Sequence, residues 1–171
     1  MRETSMSQDI VDAAIANLER AERLICQLDN LSYANAKTGP YFSSIGSHMR
    51  HILDIFACVI HGAESGVVDL TDRKRGTAAE SDREKGLEYV HSVIRDLARL
   101  AQVDSATPVR MLDDLGLGKR EIPSTLGAGL CQAHSHAIHH YACIGYLLHL
   151  QGLDLPDPAF GYNPTTPMPT P

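Results

Sequence analysis

The chain has 171 residues, enough to bury a sizeable core in one domain without disulfides. Its net charge of −6 argues against a nucleic-acid surface, which needs a basic face. No apolar run approaches the roughly 18 to 20 residues of a membrane-spanning helix, and Met1–Arg2–Glu3–Thr4–Ser5 lacks the layout of a signal peptide. A cytoplasmic protein with neither membrane nor nucleic-acid partners is therefore expected.

The first helical period runs from Ser7 to Leu28, with Ile10, Ala14, Leu18, Ala21, Ile25 and Leu28 on one face. Residues 29–40 contain Asn, Ser, Gly and Pro and read as a loop. A second helix starts at Ser43 or Ser44 and runs to about Gly62 or Ser65, with Ile45, His48, Ile52, Ile55, Phe56 and Val59 on its inward stripe. Residues 66–76 read as a polar connection that ends in the basic cluster Arg73–Lys74–Arg75. The third helix is predicted from about Ser81 to Ala101. Residues 107–112 suit a short strand, Gly116–Leu117–Gly118 a turn, and residues 119–122 a return strand. Ser124 or Thr125 then caps a long fourth helix from Leu126 to Leu150. After Gly152, residues 153–171 read as an irregular, proline-rich tail whose Phe160 and Tyr162 are placed to pin its first half to the body. The sum is an all-α fold, one domain over 1–171, with room for a short β-hairpin before the last helix. Cys26, Cys58, Cys131 and Cys143 are scattered, which suits free thiols rather than a disulfide framework.

The chemistry concentrates in the last helix. Four of the nine histidines, His134, His136, His139 and His140, fall within seven residues. Residues four apart share a helix face, so His136 and His140 form a pair on the stripe that also carries Gly129, Ala133 and Ile144. Spacing by itself leaves His136 with His139 as an alternative, and the stripe favours the first pair. Two imidazoles on one face form half of a metal site, and His48 on the second helix supplies a third. Three neutral imidazoles leave coordination positions open, as in working rather than closed structural sites. Imidazole suits zinc, nickel, iron and other borderline divalent ions. The competing reading is a set of hydrogen-bonded core histidines.

Ser43–Ser44–Ile45–Gly46–Ser47–His48–Met49–Arg50–His51–Ile52–Leu53–Asp54 and His134–Ser135–His136–Ala137–Ile138–His139–His140–Tyr141–Ala142 together resemble a subgroup of the DinB-like (damage-inducible) superfamily. The likeness spans about Tyr41 to Pro164. It implies a four-helix bundle of DinB/YfiT-like type with a divalent-metal triad of His48, His136 and His140. Some members of that superfamily transfer low-molecular-weight thiols such as bacillithiol or mycothiol, which implies a small-molecule, thiol-bearing substrate. Arg50, His51 and Arg73 are candidates for holding an anionic substrate, and Asp54 for orienting His51. The better-known members end this motif in H-R-G-Q-I, which here reads His140–Tyr141–Ala142–Cys143–Ile144, without the Arg and Gln. The leading expectation is a metal-dependent thiol transferase or hydrolase; the alternative is a non-catalytic metal- or ligand-binding bundle with a stress or sensing role. A ferritin-like di-iron oxidase would need several Glu-x-x-His pairs, and only Glu88–His91 fits. Cys58, Val59 and Ala63 on the second helix suggest a homodimer surface.

Overall fold

A computed structural model describes residues 6–167. Five α-helices and a three-stranded sheet make up the described residues in the order α1 (Met6–Gln27), α2 (Asn30–Tyr33), α3 (Ile45–Ser65), β1 (Val67–Asp69), α4 (Arg83–Leu100), β2 (Pro108–Asp114), β3 (Lys119–Thr125) and α5 (Leu126–Leu150), with a 3-10 turn at Ala78–Glu80 before α4. The long helices begin where their side chains can satisfy the free N–H groups of a first turn. Ser44 accepts from the Ser47 N–H at the start of α3. Asp82 accepts from Glu84 and Lys85 at the start of α4, and Thr125 from Ala128 at the start of α5. Helix α1 packs on α4 and α5, and α3 packs on α5 and α4. Leu18, Ile25, Ile52, Phe56, Leu97 and Leu148 are buried in the single core between them.

The all-α expectation is overturned by the sheet. Strand β1 lies in the stretch expected to be a polar connection, and it pairs in parallel with β2, Val67 opposite Arg110 and Asp69 opposite Leu112. Strand β2 pairs antiparallel with β3, Pro108 opposite Thr125 through Asp114 opposite Lys119. The protein is thus a mixed α/β fold with a mixed sheet, in which β2 is the central strand. A turn out of α3 and the distant pairing with β2 create β1. Gly66 ends α3 in the left-handed region, at φ 73°, and turns the chain back along the helix it has just left. Val68 is then fully buried against Gly62, where a Cβ would come within 2.3 Å of the Val68 Cγ2. Val67 and Val68 are β-branched and suit a pleated, half-buried surface. The short helix α2 also occupies part of the expected loop, capped by Asp29.

Of the two tail aromatics, Phe160 is held, its ring stacked on the buried Tyr141 of α5 with centroids 4.6 Å apart, whereas Tyr162 is exposed. The surface suggested for a second copy is partly used within the chain, since Val59 is buried in the core and Cys58 and Ala63 pack against it. Among the described residues no helix is long and apolar enough to cross a membrane.

Candidate metal centre

Helices α3 and α5 lie side by side, and each carries two histidines into their shared interface. From α3 come His48 and His51, three residues apart; from α5 come His136 and His140, four apart. Ring centroids of His136 and His140 are 4.5 Å apart, and that of His51 is 4.8 Å from each. One ring nitrogen from each of His51, His136 and His140 lies within 4.8 Å of the other two, a grouping that could hold a metal ion. All three are half-buried.

The expected set was His48, His136 and His140. The structure brings His136 and His140 together and groups His51 with them, while His48 stands behind His140, Nδ1 to Nδ1 at 2.7 Å. The Nε2 of His48 in turn lies 2.9 Å from the Ser43 hydroxyl. This chain of contacts can orient a ligand. If His140 donates its Nδ1–H to His48, and His48 donates its Nε2–H to Ser43, the His140 Nε2 keeps its lone pair for a cation. Metal-binding histidines are commonly held this way by a partner on the other ring nitrogen. His139, the alternative partner for His136, is exposed, its ring 5.4 Å from that of His140.

Electrostatics keep the cluster neutral. Burial pushes the His51 imidazole down to about 4, helped by the charges it would share with His136 and Arg73. Burial, then the four neighbouring imidazoles of His136, His51, His48 and His139, push His140 down to about 3. His48 and His136 are lowered as well, burial again the largest cause. At neutral pH all four are therefore uncharged, the protonation state that metal binding requires.

Of the three candidates for holding an anion, the structure separates Arg50 from the other two. Arg50 is buried and bound twice, to Asp54 at 2.8 Å and to Glu80 at 2.9 Å. Its charge is committed to the fold. Asp54 also accepts from the Tyr89 hydroxyl, so it faces Arg50 and Tyr89 rather than orienting His51. Arg73, by contrast, comes from the loop after β1 and places Nη1 3.2 Å from the Nδ1 of His51, while its Nε is buried with no hydrogen-bond partner. His51, Arg73 and His136 line a cavity of about 110 Å³, and Asp113 and Gln132 complete its polar lining.

The Arg73 contact fixes a tautomer. A guanidinium only donates, so the His51 Nδ1 must accept. Neutral His51 then carries its proton on Nε2, which donates to the His136 Nε2 2.8 Å away. In that state His51 has no free lone pair. A cation binding through either nitrogen of His51 displaces Arg73: directly if Nδ1 is the donor atom, or by moving the proton to Nδ1, where it would face the guanidinium's own N–H.

Ser43 and Asp113 were missed at the level of sequence. Ser43 lies before the helix that carries its partner. Asp113 follows the buried Val109 and Met111 on the inward face of β2, a period-two signal that is visible once the strand is drawn to its full length. No family model matches the chain, and no curated protein is significantly similar to it in sequence.

Proposed function

We propose that the protein binds a divalent metal, from the group zinc, nickel and iron, through an open site of His51, His136 and His140, and uses it in thiol-transfer or hydrolytic chemistry on a small molecule. The observation that carries this reading is three half-buried, neutral imidazoles from two helices with one nitrogen apiece within 4.8 Å. The donor set fits the ion: imidazole suits these metals, and three protein ligands leave room for a water or a substrate. The resemblance of the two histidine-rich segments to the DinB-like superfamily supports the same chemistry and the same class of thiol substrate.

When bound, such an ion lowers the pKa of a thiol or water at its open position and so supplies a nucleophile at neutral pH. The chain's own residues do the rest. His48 and Ser43 hold the tautomer and tilt of His140. His51 and His136, which face each other through their Nε2 atoms at 2.8 Å, would hold the cation with them, the His51 proton moving to Nδ1 if Nε2 is the donor atom. Arg73, if displaced from His51, would have its donors free for the cavity that it lines with His51 and His136. Elemental mass spectrometry on untagged protein tests the reading. About one equivalent of metal in the wild type, lost in His140→Ala, supports it. No metal after incubation with zinc and nickel overturns it. Turnover of a thiol with an electrophile, measured on the loaded protein, then tests the catalytic half.

A further inference from the structure

We propose that the cavity beside the triad is a subsite for the α-amino-carboxylate end of a small thiol, with the carboxylate on Arg73 and the ammonium on Asp113. The inference rests on the metal reading above and names the substrate class of that site. His51 and His136 belong both to the triad and to the cavity wall, so a molecule seated in the cavity lies against two of the three triad imidazoles. Arg73 and Asp113 line this one small space with opposite charges, yet form no ion pair with each other. Nor does either pair with any other charged side chain among the described residues. Among the described residues, the Asp113 side chain accepts only the N–H of Asp114, on Oδ1. The Arg73 Nε has no partner, and its Nη1 loses His51 when a cation arrives.

A simple anion drawn to Arg73 would meet the Asp113 carboxylate, and a simple amine drawn to Asp113 would meet the guanidinium. A group carrying both charges answers both. Gln132 adds an amide that can donate to a carboxylate or accept from an ammonium. A space of about 110 Å³ accommodates a few heavy atoms, the size of an amino-acid head group, and leaves any larger part of the thiol outside.

The test is calorimetric titration of zinc-loaded protein with cysteine, cysteamine and 3-mercaptopropionate, which carry both charges, the ammonium alone and the carboxylate alone. Cysteine is expected to bind at least about tenfold more tightly than either of the others, given the worth of a hydrogen-bonded charge. Arg73→Gln should erase its advantage over cysteamine, and Asp113→Asn its advantage over 3-mercaptopropionate. Zinc content, read by elemental mass spectrometry on the same samples, should stay at the wild-type level in both variants. Equal binding of the three thiols by wild type overturns the inference and leaves the metal reading standing. A preference that survives both substitutions also overturns it, because it would come from the amine's own affinity for zinc. Failure of the wild type to retain zinc overturns the metal reading, and this inference with it.

Discussion

His48 and His51 differ by three positions on α3, about 60° around a helix, so both can reach the face of α5 that carries His136 and His140. An apolar stripe read from sequence is wider than that, and it picked His48 because His48 lies nearer its centre. Which imidazole completes the triad depends on the crossing of α3 over α5 and on Arg73, neither of which leaves a mark in local spacing. Their separate roles give a direct test. His51→Ala should abolish stoichiometric metal binding, whereas His48→Ala should weaken it by about 10- to 100-fold, as loss of a partner behind a ligand does. Competition against a chromophoric chelator measures both, and the reverse order would restore His48 to the triad. Arg50 belongs to another class. Removing one side of a buried ion pair leaves the other charge stranded, so Arg50→Ala should cost about 3–5 kcal/mol in denaturant unfolding. The metal affinity of the folded fraction should not change, because Arg50 is spent on Asp54 and Glu80.

The four long helices were legible from their period, and at α3 and α5 a start signal read from the sequence coincides with it. Ser44, Asp82 and Thr125 sit one residue before α3, α4 and α5, each with a side chain bonded into the first turn. The strands of the hairpin were legible from their glycine turn, though each runs longer than its sequence pattern shows. Strand β1 was not legible. Three residues carry no measurable alternation, and its partner lies more than forty positions away, so only the tertiary contact creates it. Yet β1 completes the sheet that sets Arg73 and Asp113 on one cavity. Its seat on α3 depends on Gly62. Gly62→Ala would put a Cβ within 2.3 Å of Val68, a stiff β-branched side chain on a paired strand. The expected result is a loss of about 1–3 kcal/mol, the usual cost of overpacking, in spite of alanine's better helix propensity. Thermal melts check it, and an unchanged or raised melting temperature would mean that β1 is not held there.

At the scale of the whole molecule, the fold spends stability to keep its site neutral. A cluster of half-buried imidazoles that cannot protonate in place opposes acid. In the unfolded chain each takes up a proton near 6.5, whereas in the folded protein His51 does so only near 4 and His140 near 3. Between those values the unfolded state binds more protons, so stability rises with pH across the interval and is fully present above it. Metal-free protein should therefore melt at a constant temperature above about pH 7 and at falling temperatures from about 6.5 down towards 4. Zinc should raise the melting temperature at neutral pH, because it binds only the folded arrangement of two helices. That increment should shrink on the acid side as protons compete for the same lone pairs. Replacing His51 and His140 together with glutamine removes two of the groups that oppose protonation. The double variant should lose the zinc increment and flatten the acid slope at once, which scanning calorimetry over pH 4 to 8 would show. A slope that remained unchanged would place the acid sensitivity elsewhere in the fold and separate it from the site.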